Sequence, residues 1–265
     1  MSDRRGAARA ARGHARRDDP MITLSEEGGV RYLHFGSPWI QGAMRIARPF
    51  ELEIDYVRDM MAWLLFLAPP ARVLQLGLGA GALTKYCWRR FPDTRVTAVE
   101  VSAAVLACAR RDFALPADDA RLSVVLADAG EFVARPAARG GYGVIQADLY
   151  DRHARAPALD GESFYRSCRR ALADPGILVV NLFGEDDACR GSRLALSRAF
   201  EGRVLALPPV PAGNVVMLAF KGPMLRVAWP QLAERAHALA AERLPARAWL
   251  RALRAQQGHF PDFGI

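Results

Sequence analysis

The nine residues from Val73 to Gly81 carry the spacing with the most chemical content in this chain of 265 residues. They read Val-Leu-Gln-Leu-Gly-Leu-Gly-Ala-Gly, an apolar run entering a turn with no Cβ at Gly77, Gly79 and Gly81. Such a turn lets backbone approach a ligand closely. Glu100 closes a second strand-like segment nineteen positions after Gly81, where a carboxylate can accept both hydroxyl hydrogens of a ribose. A nucleoside cofactor is the expected ligand. With Ala82 in last place the same letters also satisfy the G-x-G-x-x-G/A dinucleotide fingerprint, and glycine turns serve plain strand-to-helix packing too.

More acids follow at later strand ends. Asp128, in Ala127-Asp-Ala-Gly, is placed either to hydrogen-bond an adenine amino group or to cap the helical segment around Glu131 to Ala134. The next strand-like run ends in Asp148-Leu-Tyr-Asp151. Two carboxylates three residues apart can receive a cationic amine and take its proton, or Asp148 can cap an Asx-type turn. Asp160, Glu162, Glu185, Asp186 and Asp187 add acid nearby, which suits a cationic substrate better than a phosphate.

Elements that position these residues can be read from periodicity. Strand-like segments Val73 to Leu76, Arg95 to Val99, Leu122 to Leu126, Gly143 to Ala147 and Ile177 to Asn181 alternate with helical ones at Leu83 to Phe91, Ala103 to Phe113 and Phe164 to Leu172. That alternation implies parallel strands with right-handed crossovers, whose ligands bind beyond the carboxyl ends. Val204 to Leu207 and Val215 to Phe220, joined through Pro208-Pro-Val-Pro-Ala-Gly-Asn214, read instead as a terminal hairpin. This favours a methyltransferase-type sheet over a nicotinamide-binding one. The expected fold is α/β, a Rossmann-like class I methyltransferase sheet with a terminal antiparallel hairpin and a small N-terminal β appendage.

Four segments are expected: a disordered Arg-rich leader at 1–20, a small β-hairpin region at 21–49, a nucleoside-binding α/β transferase domain at 50–225 and a helical tail at 226–265. Ile22, Leu24, Val30, Tyr32, Leu33 and Phe35 supply the short strands. Phe50 to Leu67 has helical periodicity and stops at Pro69-Pro70, and Gln231 to Leu253 reads as a closing helix interrupted at Pro245.

Composition narrows the function classes. The hydrophobic content of 51% is that of a globular protein, and the longest apolar stretch, Met60 to Ala68, is well short of the roughly 20 residues a membrane span needs. Cys87, Cys108, Cys168 and Cys189 lack metal-ligand spacing, so no metal is expected, and the absence of a secretory h-region points to the cytoplasm. Net charge is +8, of which six arginines and three aspartates before Pro20 contribute +3, so the remaining excess is too modest for a nucleic-acid surface.

In Val99-Glu-Val-Ser-Ala-Ala-Val-Leu, Phe113-Ala-Leu-Pro-Ala-Asp-Asp-Ala-Arg-Leu and Tyr142-Gly-Val-Ile-Gln-Ala-Asp-Leu-Tyr-Asp151, the chain resembles the polyamine aminopropyltransferases, or spermidine-synthase-like proteins. The similarity runs from about Trp39 to Phe220. It implies that Glu100 binds ribose, Asp128 adenine, that Asp148 deprotonates the attacking amine and Asp151 holds it, and that Gln41 contacts the cofactor from the N-terminal hairpin. Two departures stand out: Ala80 replaces the family's aspartate for the cofactor's free amino group, and Val57-Arg-Asp-Met60 replaces its Tyr-His-Glu-Met stretch.

The resemblance implies aminopropyl transfer from decarboxylated S-adenosylmethionine to a di- or polyamine. The alternatives are a methyltransferase using intact S-adenosylmethionine, for which Ala80 leaves room, and a nucleoside-binding homologue without catalysis. The expected partner is a small cationic amine, without membrane or nucleic acid, and the expected assembly is a homodimer.

Overall fold

The computed structural model describes residues 20–150, 161–184 and 187–265. The expected leader lies almost wholly outside these residues, as do Asp151, Asp160, Glu185 and Asp186. Strands β1 (Ile22–Glu27), β2 (Val30–Phe35) and β3 (Ile40–Arg45) form a small antiparallel sheet in sequence order, one strand more than a hairpin. Helix α1 (Asp55–Asp59) and a 3-10 turn (Ala62–Leu65) lead into the core. There β4 (Arg72–Leu76), α2 (Ala82–Arg90), β5 (Arg95–Glu100), α3 (Ala103–Asp112), β6 (Leu122–Leu126), α4 (Ala129–Ala134), β7 (Tyr142–Ala147), α5 (Glu162–Ala171), β8 (Leu172–Phe183) and α6 (Asp187–Ala199) alternate as expected. β9 (Val204–Ala206) and β10 (Asn214–Lys221) follow. The chain closes with β11 (Arg226–Ala228), α7 (Trp229–Ala241), α8 (Ala246–Gln257) and β12 (Asp262–Gly264).

The seven-stranded sheet has the order β6-β5-β4-β7-β8-β10-β9, parallel except for β10, which runs antiparallel to both β8 and β9. The terminal hairpin is therefore present and inserts its second strand beside β8. Alternate residues of the central strands supply two cores. Val73, Val144 and Val179 pack with α1, α2, α7 and α8 on one face, while Leu74, Ile145 and Val180 pack with α4, α5 and α6 on the other. Strand order reverses at β4 and β7, so the crevice beyond their carboxyl ends is where a ligand site is expected.

The span from Phe50 to Leu67 is not one helix. Met60 to Trp63 are buried in succession, as are Leu65 and Phe66, and Leu64 between them is partly buried, so the segment has no polar solvent face to keep. After Met60 its backbone tightens to three-residue hydrogen bonds, Met61 N–H to Arg58 O and Leu64 N–H to Met61 O, both 3.0 Å. The buried Gln146 side chain donates to the Met60 carbonyl at 3.0 Å, taking an acceptor that a continuous helix would use. Periodicity reports an apolar stripe; it does not report burial from all sides. The closing helix breaks at Pro245 as its sequence indicates, but the tail is not a loose appendage. Trp249, Leu232 and Ala236 belong to the main core, and β11 pairs with β12 in a two-stranded sheet absent from the sequence reading.

Among the described residues no helix is long and apolar enough to cross a membrane, and the four cysteines are buried and form no disulfide with one another.

Candidate active site

A cleft of about 460 Å³ opens at the strand-order reversal. Gln41, Gly77, Gly79, Glu100, Asp128 and Asp148 all line it, so residues 107 positions apart in the chain, Gln41 and Asp148, share one cavity wall. Gly81 does not line it. That residue stands at the start of α2 with φ +68°, and a Cβ there would meet Leu115.

The glycine turn owes its composition partly to protein neighbours. A Cβ on Gly77 would lie 2.1 Å from the carbonyl oxygen of Asp148, at φ +88°, and one on Gly79 would lie 3.0 Å from the carbonyl of Gln41. The missing side chains thus let the β7 loop and strand β3 close onto the turn. Ala80 belongs to the same junction. It is buried with Leu33, Phe35 and Met44 beneath the small sheet, and a Cβ on Gly42 would be 2.6 Å from its own.

Glu100 ends β5 with its carboxylate tied to backbone. Leu78 N–H donates to Oε2 at 3.0 Å and Ser102 N–H to Oε1 at 2.9 Å, so the group is fixed across the glycine turn with a defined orientation. Asp128 lines the cleft, and its Oδ1 accepts from Glu131 N–H at 2.9 Å, so its capping role at the start of α4 is present.

Asp148 follows β7 and is held differently. The Tyr56 hydroxyl on α1 donates to Oδ2 at 3.2 Å, and Asn181 Nδ2 near the end of β8 donates to Oδ1 at 2.9 Å. Asn214 Nδ2 at the start of β10 donates to Asn181 Oδ1 at 3.1 Å, and the Tyr150 hydroxyl donates to the Asn181 carbonyl at 2.8 Å. Burial raises the Asp148 pKa above its ordinary value, opposed by the two hydrogen bonds from Asn181 and Tyr56. Burial, together with the Asp148 charge, pushes the Tyr56 phenol well up, so it remains a donor. A carboxylate with neutral donors and a raised pKa is suited to gain and lose a proton.

Sequence reasoning missed Tyr56, Asn181, Tyr150 and Asn214. Asn181 is the one with a usable signal: a polar residue closing an apolar strand faces the ligand crevice in this sheet type. Tyr56 sits one position before Val57-Arg-Asp-Met60, the stretch that departs from the family's Tyr-His-Glu-Met; it lines the cleft, while Val57 and Met60 are buried in the core. Aromatic side chains complete the wall. Trp39 meets Phe183 edge-on at 5.7 Å between centroids, with Phe35, Tyr56 and Tyr150 around the same space.

Residues 73–176 match the family described as "Methyltransferase domain". The chain is 39% identical over 203 residues to the polyamine aminopropyltransferase of Neisseria meningitidis, covering 76% of each chain. It is 36% identical over 220 residues to that of Chromobacterium violaceum, covering 83% of this chain and 84% of the relative. Among solved structures, a probable spermidine synthase from Corynebacterium glutamicum shares the fold at TM-score 0.68 and 20% identity, over 92% of this chain and 86% of the other. Human methyltransferase-like protein 13 in complex with SAH matches at TM-score 0.63 and 26% identity, over 75% of this chain and 93% of the other.

Proposed function

Since the chain belongs to the polyamine aminopropyltransferase family, we propose that this cleft transfers an aminopropyl group from decarboxylated S-adenosylmethionine to a di- or polyamine, with Asp148 as the base. The protein is a transferase on a class I methyltransferase sheet, and its donor is of the S-adenosylmethionine type. The decarboxylated form of the donor, and the residue roles below, are our reading.

One observation carries it: the half-buried carboxylate of Asp148, held by Tyr56 and Asn181, stands in the same cleft as the backbone-tied carboxylate of Glu100. Glu100 would accept the ribose hydroxyls and Asp128 an adenine amino hydrogen, with Gln41 contacting the donor from β3. The donor supplies a sulfonium-activated carbon. An amine reaches that carbon only as the free base, yet at neutral pH it is almost wholly protonated. Asp148 takes the proton, the nitrogen lone pair forms the new N–C bond, and the C–S bonding pair leaves with sulfur as a neutral thioether. The aromatic walls from Trp39, Tyr56, Tyr150 and Phe183 favour a cation over their ring faces while excluding water. Asp151, assigned to holding the amine, lies outside the described residues.

Incubating the purified protein with each sulfonium donor and a panel of amines, read by mass spectrometry, tests the proposal. Methylthioadenosine together with an aminopropylated amine is the expected outcome. S-adenosylhomocysteine with a methylated acceptor would replace it by methyl transfer, and no turnover by a binding role.

A further inference from the structure

We propose that Asn214 is a positioning residue that fixes the orientation of the Asn181 side-chain amide, so that Asn181 always presents its N–H to Asp148. This rests on Asp148 being the base. An asparagine amide has a donor end and an acceptor end of nearly the same shape, and only the donor end stabilises a carboxylate. Asn181 is 1% exposed, so water does not choose its orientation. Its Oδ1 accepts from Asn214 Nδ2 at 3.1 Å while its Nδ2 donates to Asp148 Oδ1 at 2.9 Å. Were Asn181 to flip, its oxygen would face the Asp148 oxygen and its NH₂ would face that of Asn214, two like-with-like contacts at a buried amide.

Asn214 lines the cleft beside Asn181, and through its bond to Asn181 Oδ1 it sets the polarity of the chain. β10 is the antiparallel strand inserted beside β8, and the pairing of Asn214 with Phe183 and Val216 with Asn181 brings the two amides within reach. The titratable groups facing Asp148 are the Tyr56 phenol from α1 and the Tyr150 phenol on its own loop; among the described residues no charged side chain pairs with it. The amide from Asn181 is therefore one of two dipoles opposing the effect of burial on this carboxyl.

Asn214→Asp reverses the polarity with almost no change of shape. The new carboxylate accepts from Asn181 Nδ2, turns Asn181 Oδ1 toward Asp148 and raises the proton affinity of Asp148. The acid limb of the kcat profile should move up by about one pH unit, so that kcat falls about tenfold at pH values below the limb, with KM for the amine changed less. Asn181→Leu, which deletes the donor and keeps the volume, should move the limb in the same direction. In the unaltered protein, the Asn181 side-chain amide resonance should titrate along the same limb, and this needs no variant to fold. An acid limb that stays in place in folded Asn214→Asp, or an Asn181 amide that ignores the limb, overturns the proposal. Asp148→Asn separates this from the underlying reading: if that variant keeps full turnover, Asp148 is not the base at all; if it loses turnover while Asn214→Asp leaves the limb unmoved, only the positioning role fails.

Discussion

Two carboxylates face the same cleft and are built in opposite ways. Glu100 sits at the end of β5 and is held by two main-chain N–H groups, from Leu78 and Ser102, that are themselves part of the strand-turn-helix frame. Asp148 is held by two neutral side chains brought from α1 and β8, one of which is oriented by a third from β10. Main-chain donors cannot rotate away, so the carboxylate they hold keeps one orientation. Side-chain donors are removable, and burial tilts their carboxyl toward protonation. The first arrangement suits holding a ligand; the second suits moving a proton.

Substitutions can break that contrast. The largest expected effect is on turnover in Asp148→Asn, which keeps the shape and deletes the base: kcat should fall about 10²- to 10⁴-fold. Affinity for methylthioadenosine, measured by calorimetry, should change little. Equal loss of both would mean that the two halves of the cleft are not separate. Glu100→Ala should give the mirror image. Methylthioadenosine binding should weaken by about 1.5 to 3 kcal/mol, the usual loss for a hydrogen bond to a charged group. An unchanged dissociation constant in the folded variant would remove ribose from this carboxylate.

Smaller effects sharpen the difference. Tyr56→Phe deletes one donor to Asp148, so the proton is held more tightly and the acid limb of the rate profile should rise by up to about one pH unit. A limb that stays in place or moves to lower pH would show that the phenol does not support the anion. The smallest expected effect is on stability. Because the folded pKa of Asp148 lies above its unfolded value, the folded state binds more protons than the unfolded one between the two values, and stability is lost as pH rises through that window. Asp148→Asn escapes this loss, so its melting temperature relative to the wild type should increase from about pH 3 toward neutrality. A relative melting temperature that falls over that range would mean the carboxylate is stabilised in the fold rather than strained by it.

The order of the core elements was legible because its signals are local. An apolar run before Gly77, a 3.6-residue stripe in α2 or α3, and a proline-glycine connection before β10 each occupy a few neighbouring positions. The carboxylates at the strand tips were legible for the same reason, since each ends a strand that announces itself. The segment from Phe50 to Leu67 was misread where that logic stops: a helical stripe is visible in sequence, whereas Gln146 claiming the Met60 carbonyl from 86 residues away is not.

The sequence by itself determined the sheet, the glycine turn and the positions of Glu100, Asp128 and Asp148, because backbone propensity and hydrophobic period act over a few residues. Tertiary structure decided what each acid is. Tyr56 meets Asp148 across 92 positions, Asn181 across 33, and Asn214 meets Asn181 across another 33. A carboxylate's proton affinity depends on burial and on which dipoles point at it, and both are properties of neighbours in space that no spacing along the chain encodes.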